Sequence, residues 1–456
     1  MKLLLLSLLA LSPLHARADE VRYVKYPAQA LAAFRSVIAD AKKSIDLTTF
    51  IFEPCHAGTQ ALLEPLAAKA RQGVKVRVLL DAYMQDDQQK ARLARYFADA
   101  GIELRWYNLR SNWDISTNFR SHAKLLLADG ERYVSGGRNW ADDYFGLYEG
   151  INFADRDVLV KGASGREALA SFNELWNSRF ASKPKTPSAP FKDWSMVCER
   201  DERKRVASVR AFLAAESARI LAGMPARTCA NVGFVGDSPD FTHPGLTGDA
   251  DPVWDNYMTP MRQRYKRATK AFLDFVNGTR KGAELENWSY IPVNYLQKAF
   301  DDLRAKRIPL HVITNSDMDG PGIIKHAEEY ANNTFVGRHN RGSQTIIQLS
   351  YHGVLSDAHA LTPRESPGFR LHGKVGVRDG RDVIVGSFNI DPRSYATNIE
   401  TTVEVKNCPA LAGDVQQEFN RLRRIYIDDV KSGRVPPQEE PSFFAKVIAI
   451  IGINFL

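Results

Sequence analysis

Cysteine is scarce in this chain, and the few present do not cluster. Cys55, Cys198, Cys229 and Cys408 are the only four in 456 residues, with no Cys-x-x-Cys pair and no Cys/His group at metal-ligand spacing. That excludes a structural zinc module. Long apolar runs are also missing. The N-terminal run Leu3 to Leu14 falls short of the roughly 20 apolar residues a spanning helix needs, and nothing later is long enough either. Neither sign of charge dominates, since 61 Lys and Arg face 53 Asp and Glu for a net +8. Such a surplus admits an anionic partner, a phospholipid surface or a nucleic acid, without choosing between them. With 44% hydrophobic and 25% charged residues, disorder and collagen-like repetition are excluded. The length leaves room for two to three domains or one duplicated body.

The first residues read as an address. Lys2, the apolar run and Ala16-Arg17-Ala18 supply the basic start, apolar centre and small-residue cleavage site of a signal peptide over residues 1–18. The mature chain is then expected to begin near Asp19 and to be periplasmic or secreted. In an oxidising compartment four cysteines permit two disulfides in three connectivities. Cys198–Cys229 closes the shortest loop between neighbouring cysteines and is the favoured pair.

Along the chain, one unit is written twice. Ser44 to Phe52 reads as a strand, Ala61 to Gln72 as a helix closed by Gly73, and Val74 to Leu80 as a strand. A helix over Arg92 to Ala100 and a strand over Ile102 to Tyr107 follow. The second round runs strand Trp288 to Ile291, helix Tyr295 to Lys306, strand Leu310 to Thr314, helix His326 to Asn333 and strand Thr345 to Leu349. This alternation predicts an α/β fold with mixed, largely parallel sheets covered by helices. The expected organisation is an N-terminal domain over 19–185, an insertion or linker over 186–264 holding a charged helix near Glu199 to Leu221, a C-terminal domain over 265–435, and an apolar tail over 436–456. Two such halves are expected to face each other about a pseudo-twofold axis, across a shared cleft.

Inside the duplication lies a sharper repeat. Residues 122–139 read HAKLLLADGERYVSGGRN and residues 372–389 read HGKVGVRDGRDVIVGSFN. Both fit H-x-K-x4-D-x6-G-(G/S)-x-N, every offset preserved across a shift of 250 positions. In a strand, residues two apart share a face, so His122 with Lys124, and His372 with Lys374, project together. Asp129-Gly130 and Asp379-Gly380 supply hairpin turns and are structural. The returning strands bring Gly137 and Asn139, and Ser387 and Asn389, back beside the His and Lys. Two such patches would enclose a small anion: lysines, asparagines, Ser387 and the Gly137 backbone bind phosphate oxygens while two imidazoles flank phosphorus. An ammonium beside each imidazole disfavours a bound cation, so neither metal nor cofactor is expected.

These motifs resemble those of the phospholipase D superfamily, most nearly bacterial cardiolipin synthases with two motifs in one chain. The stretches GGRNWADDYFGL and GSFNIDPRSYATNIETTVEV extend the resemblance. It implies two homologous α-β-α sandwich domains and a monomer with one active site. By that resemblance His122 attacks phosphorus to give a phosphohistidine, and His372 protonates the leaving alcohol and then deprotonates the acceptor. Glu400 stands at the family position of a carboxylate that orients a histidine. For the first copy Asp157 in DRDVLV is the leading candidate and Asp155 the second. The implied substrate is a phospholipid at a membrane surface, with an exported nuclease acting on DNA or RNA as the alternative. The basic run Arg262 to Lys270 reads as a solvated face. The apolar end Phe443 to Leu456 is too short to span a bilayer; it either docks on a membrane or packs on its own core. The remaining histidines read as structural.

Overall fold

The computed structural model describes residues 18–109, 119–188, 198, 200–239, 265–316, 322–349, 369–431 and 442–451. Most of the signal segment, Arg262, the break at Val435-Pro436-Pro437 and the last five residues lie outside them. In chain order the first half contains β1 (Asp19–Val24), β2 (Ser44–Thr49), β3 (Lys75–Asp81), β4 (Glu103–Tyr107), β5 (Leu125–Ala128), β6 (Arg132–Gly136), β7 (Asn152–Ala154), β8 (Asp157–Lys161) and β9 (Ala181–Ser182). Beyond it come β10 (Arg227–Cys229), β11 (Asn231–Gly236), β12 (Ala283–Glu286), β13 (Leu310–Asn315), β14 (Gln344–Leu349), β15 (Phe369–Leu371), β16 (Val375–Arg378), β17 (Asp382–Gly386) and β18 (Thr401–Lys406).

Two mixed sheets carry the duplication. One runs β10-β1-β8-β6-β5-β2-β3-β4-β9 and the other β11-β18-β17-β16-β12-β13-β14. Stripped of its edge strands β10 and β9, the first has the same order as the second. Within these two sheets parallel pairing is confined to β2-β3-β4 and β12-β13-β14, where strand–helix–strand alternation was read, and the other neighbours are antiparallel; β7 and β15 form a separate parallel pair. β2 is a buried strand that alternation alone cannot reveal, because helices cover the sheet there. Residues 227–236, expected in the inter-domain insertion, supply an edge strand to each sheet.

The halves share a core. Val21, Leu125 and Val158 of one sheet join Val375, Val385 and Val403 of the other in a single apolar cluster. Helix Gly165–Trp176 of the first half packs on β11, and helix Pro409–Lys431 of the second packs on β1. The exchange is reciprocal.

Several boundaries move for physical reasons. The helix read from Ala61 begins at Ala57. Its first N–H groups are satisfied by Asp142, whose carboxylate accepts from Ala57 N at 3.0 Å and Gly58 N at 2.7 Å. No local sequence signal encodes a cap supplied from 85 residues away. The strand read over Trp288 to Ile291 lies instead at Ala283–Glu286; only Tyr290 makes an isolated bridge, to Ile390. The basic run is not wholly a solvated face either. Lys266 is fully buried, with Nζ on Asp237 Oδ2 at 2.6 Å.

The disulfides are Cys55–Cys198 and Cys229–Cys408, not Cys198–Cys229. The 24-residue helix Arg200–Gly223 separates Cys198 from Cys229, and at 1.5 Å per residue it spans about 36 Å. Shortness in sequence is therefore no closeness in space. Cys229–Cys408 closes a separation of 179 residues and ties β10 to the start of helix Pro409–Lys431. Replacing both cysteines by serine is expected to cost about 2–5 kcal/mol, read as a lowered thermal midpoint. An unchanged midpoint would contradict this.

Candidate active site

Both motif hairpins form as expected. Asp129 and Asp379 take φ of 56° and 53° at the turns. Asp129 accepts from the backbone N–H of Lys42, Lys43 and Ser44, and Asp379 from Arg280, Lys281 and Gly282. Each turn is thereby pinned to the start of its neighbouring strand. Those hydrogen bonds outweigh partial burial and hold both carboxyls below the ordinary range.

The two histidines are completed by opposite halves. Ser121 bridges Ile399, and His122 N donates to Ile399 O at 2.9 Å. That register puts Glu400 against His122, with Nδ1 at 3.0 and 3.1 Å from its two oxygens. In the other half β15 pairs with β7, Leu371 opposite Ala154, and His372 N donates to Ala154 O at 2.8 Å. The next residue, Asp155, meets His372 Nδ1 at 2.5 Å. One pairing rule thus builds both sites. Asp157, the leading sequence candidate, is excluded from this role: it binds Arg138 at 2.8 Å inside β8. Counting alone could not separate the two acids, because the first half inserts five residues between its asparagine and its acid.

Lys124 Nζ donates to His122 O at 2.8 Å, and Lys374 Nζ to His372 O at 2.5 Å. Lys374 Nζ also stands 2.9 Å from His372 Nδ1. Burial pushes His122 down to about 4 against the pull of Glu400, and burial with the Lys374 charge pushes His372 down to about 3. Both rings are neutral at pH 7, with Nδ1–H given to a carboxylate and Nε2 left as the basic atom. Asp155 falls to about 2: burial pulls it up, but His372, Lys374 and Arg138 outweigh it.

Burial also pushes Lys124 down to about 7 and Lys374 to about 8. A lysine is charged below its pKa, so anion binding should fade as pH rises through that window. We expect kcat/KM of the free enzyme to fall between about pH 7 and 9. Activity flat to about pH 10, near an ordinary lysine's pKa, would contradict it.

The asparagines differ. Asn139 Oδ1 accepts from Ile51 N at 3.2 Å. Asn389 Oδ1 is buried without a partner, while its backbone N–H donates to Ser394 Oγ. Ser387 and Gly137 have their donors committed within the protein, Gly137 N to Arg156 O at 3.1 Å. Ser387 is fully buried and gives its hydroxyl to Glu400, and Ser394 Oγ reaches the same carboxylate at 2.7 Å. A Cβ at Gly137 would lie 2.3 Å from Asp155 Oδ1, so glycine is what lets that acid stand where it does.

Sequence reasoning missed the surroundings. Tyr144, Phe153 and Trp288 enclose the His372 ring at centroid distances of 5.1, 5.2 and 5.4 Å. Phe50 stands edge-on to His122 at 5.2 Å. Behind Glu400, its N–H donates to Asp237, which holds the buried Lys266. A usable signal existed upstream: Phe-Arg precedes the His by the same offset in both copies, at 119–120 and 369–370. Arg120 pairs with Asp81 at 3.1 Å beneath His122. Among the described residues no group of His, Cys, Asp and Glu could hold a metal ion.

With this geometry in hand, comparison with known proteins is specific. Residues 34–176 and 287–423, more than half the chain, match the family described as cardiolipin synthase, PLD-like domain. The chain belongs to this family. It is 24% identical to cardiolipin synthase C of Escherichia coli K12 over 387 residues, 81% of this chain and 78% of that protein. An uncharacterised Helicobacter pylori (strain 26695) protein is 26% identical over 397 residues, 83% of this chain and 74% of that one. The fold resembles phosphatidylserine synthase of Haemophilus influenzae Rd KW20, with a TM-score of 0.62 at 14% identity, covering 97% of this chain and 98% of that one. Within the PLD-like family the chain is a phospholipid-modifying phosphodiesterase or transphosphatidylase with both motifs on one polypeptide.

Proposed function

We propose that this protein is exported and moves the phosphatidyl group of a phospholipid through a phosphohistidine, to water or to a lipid hydroxyl. The observation that carries the reading is the exchange of carboxylates: each Nδ1 is held by the other half, leaving two Nε2 atoms and two buried ammonium groups for one phosphodiester. His122 Nε2 forms the P–N bond as the P–O bond to the departing alcohol breaks, and that oxygen takes its proton from His372. The acceptor then gives its proton to His372, attacks phosphorus and breaks the P–N bond. His372 is neutral at rest and takes up its proton with the anionic substrate, whose charge favours the imidazolium. Lys124, Lys374, Asn139 and Asn389 donate to the non-bridging oxygens as charge builds there.

A lipid substrate is further supported by the C-terminal helix Phe443–Ile451. Ala445 and Ala449 are buried against the protein, while Phe443 and Phe444 are 75% and 69% exposed. No helix among the described residues is long and apolar enough to cross a membrane, so this one would lie at an interface. The test is incubation with phosphatidylglycerol vesicles and, separately, with plasmid. Phosphatidic acid or cardiolipin is the expected product. Nicked plasmid with no lipid product would establish the nuclease reading instead.

A further inference from the structure

The two carboxylates that orient the histidines are themselves held in different ways. Glu400 is clamped by the hydroxyls of Ser387 and Ser394. At Asp155 the position equivalent to Ser387 is Gly137, which has no side chain to donate. The second oxygen of Asp155 instead accepts the backbone N–H of Arg156 at 2.7 Å. Wherever Arg156 is fixed, Asp155 is fixed with it.

Arg156 is fixed by the other half of the molecule. Its side chain is fully buried, with Nε on Glu286 Oε2 and Nη2 on Glu418 Oε1, both at 3.1 Å. Nη1 reaches the carbonyls of Asp155 and Lys25 at 3.1 and 3.2 Å. Glu418 is braced in turn by Arg421, with contacts of 2.6 and 3.0 Å. Glu286 ends β12, and its Oε1 is buried without a partner close beneath Gly373, where an added Cβ would lie 2.3 Å from it and 2.6 Å from Arg156 Cγ. Charged and titratable groups around the cluster are Asp155, Lys374, Lys25, Tyr23, Tyr26 and Arg421. The first half has no counterpart. By strand register Thr48 takes the place of Glu286, Ala123 stands where Gly373 does, and Thr401 follows Glu400. Buried pairs also lie near His122, Arg120 with Asp81 and Lys266 with Asp237, but neither includes the residue that follows the orienting carboxylate. Keeping Arg156, Glu286 and Glu418 buried is costly for stability alone, since a buried ion pair competes poorly with apolar packing.

We propose that Arg156, anchored by Glu286 and Glu418, is the positioning residue for Asp155 and through it for His372. It does for one carboxylate what Ser387 and Ser394 do for the other. The inference rests on His372 acting in phosphodiester cleavage and not on the choice of lipid as substrate. It is therefore tested with glycerophosphoglycerol, a soluble diester whose leaving alkoxide needs the proton from His372, with phosphatidylglycerol vesicles in parallel. If only the vesicle arm is inactive, the lipid reading fails and the strut is still measured.

The experiment is a double-mutant cycle on kcat, with melting followed for every variant. Glu286→Gln keeps the shape and removes the charge, and it should lower kcat about 10–100-fold, as loss of an orienting partner typically does, with KM unchanged. In the Asp155→Asn background the same change should cost less than about threefold, because the residue it acts through is already disabled. Glu418→Gln, at the far end of the strut, should repeat the pattern and stands in if Glu286→Gln does not fold. An equal factor in both backgrounds, or an unchanged kcat in the folded single variants, would overturn the proposal.

Discussion

Replacing His122 by alanine is expected to lower kcat on the order of 10⁴-fold or more, with the thermal midpoint nearly unchanged. The expectation follows from its place: Nε2 is the one ring nitrogen not committed to Glu400, and without it no P–N bond can form. Loss of a nucleophile in a group that acts as a unit typically costs this much. His372→Ala should cost about 10²–10⁴-fold, the range for losing a general acid and base. It should cost least when the leaving group is a nitrophenolate, which departs without needing a proton. Both rings are buried beside aromatic faces, His122 by Phe50 and His372 by Tyr144, Phe153 and Trp288. Their removal opens small voids beside those aromatic rings. Full turnover in either variant would contradict the two-histidine scheme.

Asp155→Asn and Asp157→Asn are expected to behave oppositely, although only two residues separate them. Asp155 holds His372 Nδ1 at 2.5 Å. An amide there can present its N–H and force the ring into the wrong tautomer, which in a comparable triad costs about 10⁴ in kcat. Glu400→Gln should act likewise on His122, softened because Ser387 and Ser394 help fix the side chain. Asp157 instead neutralises Arg138, both fully buried. Leaving that guanidinium without its carboxylate should cost about 3–5 kcal/mol of stability. Because Arg138 also donates to the carbonyl of Asp155 at 2.8 Å, a smaller loss of kcat should accompany it. Kinetics and melting of the two variants, measured side by side, check this. Loss of activity in Asp157→Asn with Asp155→Asn fully active would reverse the assignment.

What the sequence made legible was whatever it wrote locally or wrote twice. The His–Lys pairs depend on strand periodicity and a repeated spacing, so their faces could be read before any fold was known. The hairpin aspartates followed from Asp-Gly at equal offsets. The carboxylate partners depend on pairing between strands that lie 217 and 278 residues apart from the histidines they serve. Asp155 and Asp157 are two apart, so strand periodicity alone would put them on one face; Asp155 in fact lies between β7 and β8, and the register of β7 against β15 gives it to His372. The disulfides fail for a related reason, since a rigid helix lies inside the short loop. Trp288 with Tyr290 and Ile291 reads as a strand by propensity. It leaves the sheet to reach His372, and a propensity reading does not see that pull. The buried Lys266 and Arg156 show the same limit: a basic residue reads as surface until the fold brings it distant carboxylates, Asp237 for one and Glu286 with Glu418 for the other.

Trapping the covalent intermediate tests the central claim most directly. The His372→Ala protein, incubated with a short-chain phosphatidylglycerol analogue carrying a nitrophenol leaving group, is quenched in alkali, digested and mass-analysed. The account predicts a phosphatidyl adduct on the peptide containing His122, absent when His122 is also replaced. An adduct on another residue, or turnover with no adduct at His122, would contradict it.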